Sequence, residues 1–428
     1  MTPVRWFLFK VELMKKKLKV FVITLLIVLT VGFSFVYYRV NQEMARMDAE
    51  AARSEVASGN TVTAPEGELL SGNALPGEVV SENETVLSEN ESPEPEPNTR
   101  VINTAQENRV VISFAGDILF DPYYAIYATY LQRESVLEEC ISPELLALMK
   151  QADIMMVNNE FPYSDGGAPQ ADKMYTFRAD PESVNVLFDM GVDIVSIANN
   201  HTFDYGEEAF LDTLTTLEEA GMPYVGAGRN LEEAARPFYF EADGVRIGIL
   251  AATQIERTDY PNTRGATEEL PGVLRCWNPD YLVETIRETK ENCDFLILFI
   301  HWGTESTDVL DWAQVDQAPL YAEAGADLII GAHPHVLQEI GYEGEVPVVY
   351  SLGNFWFNSR TLDSALVTVT LQNGELESLQ FVPCLQTGCG VELLHGADRD
   401  RVLNYMRGIS SEAVIDENGY VVPAAGNG

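Results

Sequence analysis

Basic residues are scarce in this chain of 428: 27 Lys and Arg stand against 66 Asp and Glu, a formal charge of −39. Seven of the 27 (Arg5, Lys10, Lys15, Lys16, Lys17, Lys19 and Arg39) surround one apolar segment, so the remainder is more acidic still. Such a field repels nucleic-acid phosphates, and no basic stripe or aromatic platform offsets it, so nucleic acid is excluded as a partner. Cysteine is sparse as well. The five residues Cys140, Cys276, Cys293, Cys384 and Cys389 lack metal-ligand spacing and read best as small buried hydrophobes. Cys384 and Cys389 are close enough in sequence for a small-loop disulfide, which sequence cannot establish. No internal repeat is present.

Long apolar runs are almost absent too, with one exception. Residues 20–38 form an uninterrupted stretch of apolar and small residues, long enough to cross a bilayer as a helix. Lysines crowd its N-terminal side, and only Arg39 follows closely. The positive-inside rule then puts residues 1–19 in the cytoplasm and everything after residue 40 outside. Tyr37-Tyr38-Arg39-Val40 has no small-x-small cleavage site, so the segment reads as an uncleaved anchor. Residues 39–108 read as an acidic, disordered linker, rich in Glu, Ser, Asn, Gly and Pro, which holds the remainder off the membrane.

Histidine is as rare as cysteine: five in all, and four of them fall in three short pieces that each follow a strand-like apolar run. His201 ends Val195-Ser196-Ile197-Ala198-Asn199-Asn200-His201, and His301 ends Leu296-Ile297-Leu298-Phe299-Ile300-His301. His333 and His335 follow Leu328-Ile329-Ile330-Gly331-Ala332. Two more such runs end in carboxylates, at Asp117 and Glu160. Strand ends at one sheet edge are where α/β folds bind ligands, so five runs should converge on one point. Imidazoles mixed with hard oxygens suit a transition-metal centre.

From residue 109 onward, strand-like and helix-like stretches alternate, which argues a layered α/β domain over 109–428. Residues 204–220 read as a helix with Asp204 as N-cap, Phe210, Leu211, Leu214 and Leu217 on one face, and Gly221 at its stop. Further helices are expected over 281–288 and 311–324, and buried strands over 245–251 and 327–330. Residues 365–382 alternate in period two around Asn373-Gly374, a hairpin signal.

Sorted by type, Asp117 and Glu160 supply the charge to hold one or two divalent ions, and a bridging carboxylate suits the two-metal arrangement. Asn200 offers an amide oxygen; His301, His333 and His335 offer imidazoles. An extended His333-Pro334-His335 would direct both rings to one side. His201 adjoins Asn200, so the two side chains diverge, and His201 is better placed as a general acid than as a ligand of the same ion.

Read in order, Ala115-Gly116-Asp117-Ile118-Leu119, Asn158-Asn159-Glu160, Phe177-Arg178-Ala179-Asp180-Pro181-Glu182, Ser196 through Gly206, His301-Trp302-Gly303, Gly331-Ala332-His333-Pro334-His335-Val336-Leu337-Gln338 and Tyr350-Ser351-Leu352-Gly353-Asn354-Phe355 form a series of seven motifs. Together they resemble the bacterial poly-γ-glutamate capsule synthesis protein family (CapA). That family is related in fold to calcineurin-like metallophosphoesterases. The resemblance implies a layered β-sandwich flanked by helices and a dinuclear-type site holding divalent Mn, Fe or Zn. Its ligands would be Asp117, Glu160, Asn200, His301, His333 and His335, with His201 as proton donor. Three positions depart from the phosphoesterase pattern. Leu119 stands where Asp-x-His has its imidazole, Glu160 replaces an Asp, and Thr202 follows His201, leaving Asp204 as the acid's partner. Arg178 is suited to clamp a phosphate or carboxylate, and Asn354 to hydrogen-bond a substrate or orient a ligand.

The expectation is therefore a single-pass, membrane-anchored extracellular protein of poly-γ-glutamate capsule synthesis or export, with a metallophosphoesterase-like metal site suited to metal-dependent hydrolysis. Its partners would be the membrane, the anionic polymer, and a synthesis or export complex. The competing expectation is a non-catalytic subunit that binds the polymer or belongs to the export complex.

Overall fold

Two sheets pack face to face, and helices cover their outer faces. The computed structural model describes residues 98–425, apart from 135, 172 and 256–263. The expected anchor over 20–38 lies outside these residues. Among the described residues, no helix is long and apolar enough to cross a membrane.

The seven-stranded sheet runs β1 (Thr99–Val101), β7 (Phe238–Ala242), β8 (Val245–Thr253), β10 (Phe295–His301), β11 (Leu328–Ala332), β13 (Val346–Val349) and β12 (Ile340–Glu343). Its centre, β8, β10, β11 and β13, is parallel. The nine-stranded sheet runs β17 (Ala413–Ile415), β18 (Tyr420–Pro423), β15 (Glu375–Thr387), β14 (Leu362–Gln372), β2 (Arg109–Ile118), β3 (Ile154–Asn159), β4 (Ile194–Ser196) and β5 (Tyr224–Val225), with β16 (Gly390–Leu393) beside β15. Its β2–β5 half is parallel and its C-terminal half antiparallel. A small ladder joins β6 (Ala227–Gly228) to β9 (Gly272–Val273).

Composition explains the layering. Strands buried on both faces read as unbroken apolar runs rather than alternating ones, as Ile154-Met155-Met156-Val157 and Phe295 through Ile300 do. Ile112, Phe114, Ile154 and Met156 from one sheet meet Ile247, Ile249, Phe299 and Ile330 from the other in a shared core. Alternate residues of the same strands, such as Met155 and Val157, pack with Leu146, Met149, Phe210 and Leu214 of the helices on one side. Leu296, Leu298 and Ile329 do the same with Leu282, Ile286 and Tyr321 on the other. Each fully buried side chain of this size contributes about 1.5–3 kcal/mol.

Several local expectations are met. The hairpin turns at Asn373 (φ 54°) and Gly374 (φ 81°), between β14 and β15, the two positive φ values that an Asn-Gly turn supplies. The helix Trp312–Ala324 starts on a capping box made by Asp311 and Gln314. Others are corrected. The helix expected from Asp204 is Gly206–Ala220, and Asp204 does not cap it, because other donors take its carboxylate. Gly221 does end it, in the left-handed conformation at φ 70°. Residues 99–101, read from composition as linker, form β1, which pairs in parallel with β7, while the Asn98 side chain bonds the Pro237 carbonyl. All five cysteines are free thiols; the hairpin register sets Cys384 opposite Leu393, not Cys389.

Candidate metal centre

The strands that carry the singled-out residues end at the same place, but they belong to two sheets rather than one. Asp117 is the penultimate residue of β2, and Glu160 follows β3. Asn200 and His201 follow β4 by a short turn, His301 is the last residue of β10, and His333 and His335 follow β11. Asp117 is pinned on both sides: its N–H donates to the Gly353 carbonyl at 3.0 Å, and its own carbonyl accepts from Phe355 N–H at 2.8 Å. Gly116 permits this approach, since a Cβ there would lie 1.9 Å from the Gly353 oxygen.

Two overlapping triads result. Glu160, His301 and His333 form one; Asp117, Glu160 and His335 form the other, and in each the donor atoms lie within 4.8 Å of one another. Glu160 is common to both. His301 Nε2 is 3.6 Å from Glu160 Oε1, 3.0 Å from His333 Nδ1 and 2.8 Å from Asn200 Oδ1. His335 Nδ1 is 3.3 Å from Asp117 Oδ2 and 2.7 Å from Asn354 Oδ1. All six candidate ligands therefore meet, and Asn354 orients one of them.

The two histidines after β11 do not reach this arrangement by an extended backbone. Both have positive φ, 100° at His333 and 59° at His335. Such values cost non-glycine residues on the order of 1–3 kcal/mol each and concentrate at functional sites. The strain sends the rings to different partners, His333 towards His301 and His335 towards Asp117.

The electrostatics fit a cation. Both Glu160 carboxylate oxygens are buried and have no hydrogen-bond partner. A group left that way costs about 1–3 kcal/mol, more if charged. Burial, and then the neighbouring Asp117 charge, push its carboxyl well above the usual range. Burial, reinforced by the adjacent imidazoles, holds His301 and His333 well below the ordinary histidine value, leaving neutral rings. Burial also opposes a charge on His335, but Glu160 and Asp117 outweigh it and carry its value up to about 10. One or two divalent ions among these nitrogen and oxygen donors would satisfy the orphaned carboxylate.

His201 stands beside this group. Its Nε2 is 3.9 Å from Glu160 Oε1, and its Nδ1 is 2.6 Å from Asp204 Oδ2. Its ring stacks on Phe177 with centroids 4.2 Å apart. Burial holds its value below that of a free imidazole, against the pull of Asp204. The Arg178 guanidinium donates to the Gly166 carbonyl at 2.7 Å and lies over the Tyr205 ring. Leu119 is buried in the apolar core.

Three contributors escaped the sequence reading. Asn158 Nδ2 donates to Asp117 Oδ1 at 2.7 Å and lies 3.3 Å from His301 Nδ1, while Asn199 Nδ2 donates to Asn158 Oδ1 at 3.2 Å. Their place at strand ends beside Glu160 and Asn200 was the available signal. Lys173, whose Nζ contacts Asp204 Oδ1 and donates to the Asn200 carbonyl at 2.6 Å, sits in an irregular loop with no pattern to mark it.

Comparison with known proteins places these residues in context. The family model described as "Bacterial capsule synthesis protein PGA_cap" matches residues 111–359. The Capsule biosynthesis protein CapA of Bacillus anthracis is 30% identical over 321 residues, 72% of this chain and 76% of that one. The PGA biosynthesis protein CapA of Bacillus subtilis is 31% identical over 290 residues, 67% of this chain and 74% of that one. Among solved structures, a 5'-nucleotidase from Candida albicans overlays with a TM-score of 0.33 at 14% identity, covering 70% of this chain and 50% of that one, too loose a likeness to argue from.

Proposed function

Because the chain belongs to the bacterial capsule synthesis protein family PGA_cap, we propose that it serves poly-γ-glutamate capsule synthesis or export as a metal-dependent hydrolase of metallophosphoesterase type, anchored by residues 20–38 with its globular part outside the cell. One observation carries the hydrolytic reading: the buried Glu160 carboxylate, without a hydrogen-bond donor, is shared by two triads of potential ligands. Asp117 and His335 would complete one ion's site; His301, His333 and Asn200 the other's.

Divalent ions bound there supply Lewis acidity and a water nucleophile at neutral pH. The chain's own residues do the rest. Asp117 is held by Asn158 and by the backbone of 353–355, so its carboxylate is fixed before any substrate arrives. Asp204 Oδ2 accepts a hydrogen bond from His201 Nδ1–H, which leaves Nε2 facing Glu160 and the site. From there His201, once Nε2 has also taken up a proton from water, donates that proton to the leaving group of a phosphoryl or amide substrate and returns to the neutral ring with its remaining proton on Nδ1.

A second reading has its own support. Leu119 is buried in the core at the place where phosphoesterases carry an imidazole, which favours a non-catalytic subunit whose metal site binds polymer carboxylates. Metal analysis of the purified protein, followed by assay on phosphodiesters and on poly-γ-glutamate, separates the two. Bound metal with turnover of either substrate supports hydrolysis. Bound metal with polymer retention and no turnover supports the binding subunit, and a protein that takes up no divalent metal refutes both.

A further inference from the structure

We propose that Lys173 is the positioning residue that fixes the His201 imidazole, with its proton on Nδ1, against the metal centre. The inference rests on the His201 reading above. Lys173 is a buried cation, its side chain only 7% exposed. A cation out of water is costly unless it is paired and hydrogen-bonded. Lys173 is both: Nζ contacts Asp204 Oδ1 and donates to the Asn200 carbonyl at 2.6 Å. It thus ties the backbone of a candidate ligand to the carboxylate that receives the neighbouring histidine.

The Asp204 carboxylate is fully committed. Oδ1 faces Lys173, while Oδ2 accepts the Phe177 N–H at 2.7 Å and receives His201 Nδ1 at 2.6 Å. With the ammonium on one oxygen and an amide on the other, an ionised Asp204 can only accept from His201, and that sets the proton on Nδ1. The same loop reaches the ring from its flat side, where Phe177 stacks on it, and a further tie joins the Gln170 N–H to the Asp204 carbonyl at 2.7 Å. The hydrogen bonds of Lys173 go to Asp204 Oδ1 and the Asn200 carbonyl, so its action on the reacting group runs through Asp204 and the Asn200 turn.

The test reads the His201–Asp204 hydrogen bond directly in the full-length protein, as the downfield ring N–H resonance that His201→Gln abolishes. With five histidines in the chain, assignment is tractable. The resonance is expected in the wild type. It is expected to be lost or displaced in Lys173→Met and Lys173→Gln and kept in Lys173→Arg, with metal content at the wild-type level in all three. Where hydrolysis is found, kcat falls roughly 10–100-fold in the neutral variants, as for other outer-shell partners, and KM holds. An unchanged resonance in the neutral variants overturns the proposal, as does its absence from the wild type. If neither neutral variant folds, Lys173 is a structural brace and the proposal is overturned too. The resonance is observed without turnover, so an inactive wild type that shows it refutes hydrolysis alone.

Discussion

Glu160 Oε1 lies 3.6 Å from His301 Nε2, and neither oxygen of that buried carboxylate receives a hydrogen bond. On the proposed reading, Glu160 weakens the metal-free protein and is relieved by a bound cation. In chelator-treated protein, Glu160→Met should raise stability by about 1–3 kcal/mol, the cost of an unsatisfied buried group. Added Mn or Zn should raise the melting temperature of the wild type and leave that of the variant unchanged. Equal responses to metal in the two proteins would show that Glu160 is not a shared ligand.

His201 and His333 should separate chemistry from ligation. His201→Ala removes a group held by Asp204 beside the candidate ligands, so metal content should persist while turnover drops by roughly 10²–10⁴, the worth of a positioned proton donor. His333→Ala removes an imidazole from the Glu160 triad and should lose metal. Elemental analysis and rate measurement on the same samples decide between the roles. If neither variant alters any hydrolytic rate and both support polymer production in cells, the non-catalytic subunit is the better account.

Much of this site could be read from the chain because buried strands advertise themselves. Apolar runs such as Phe295 through Ile300 have one physical explanation, and whatever polar residue ends the run lands at the sheet's edge. What could not be read was the assignment of the runs to two sheets, since strand pairing depends on long-range packing rather than on local pattern. The His333-Pro334-His335 turn was likewise hidden: positive φ at two histidines is paid for by tertiary contacts that no local propensity reports. Asp204 looked like an N-cap because its position relative to the helix suits one, yet Lys173, Phe177 and His201 compete successfully for its oxygens.

Asp121 offers a pH signature away from the candidate ligands. Burial raises its carboxyl from 3.8 to about 6, despite hydrogen bonds from the Tyr123 and Arg178 amides. Between those values the folded protein holds a proton that the unfolded chain has released, so stability falls as pH rises. The contribution is fully present below 3.8 and is lost through about 6, with a full span on the order of 3 kcal/mol. Asp121→Asn cannot ionise and lacks this slope. Unfolding of both proteins between about pH 4 and about pH 7 should show the wild type losing stability relative to the variant. Parallel profiles would place the Asp121 carboxyl in its ordinary range.

Topology has its own test. Lysines precede residues 20–38 and only Arg39 closely follows, so the proposal of an external globular part predicts cleavage by protease added to intact protoplasts. Protection there, with digestion in inverted vesicles, would reverse the orientation.

The strands β7 to β13 lie in sequence between the two halves of the nine-stranded sheet, and β2 takes β14 on one edge and β3 on the other. If the part after residue 40 is exported in chain order, as proposed, Asp117 emerges first and His335 last among the six candidate donors, and all six emerge before β14 does. Until β14 arrives, the strand that carries Asp117 has one bare edge. The last stretch of the polypeptide supplies no donor atom, yet it decides when there is a site at all. On the proposed reading, metal acquisition is then an event of the finished molecule rather than of the emerging one, and a premature stop after Asn354 would leave every candidate ligand present without the β14 edge that frames Asp117.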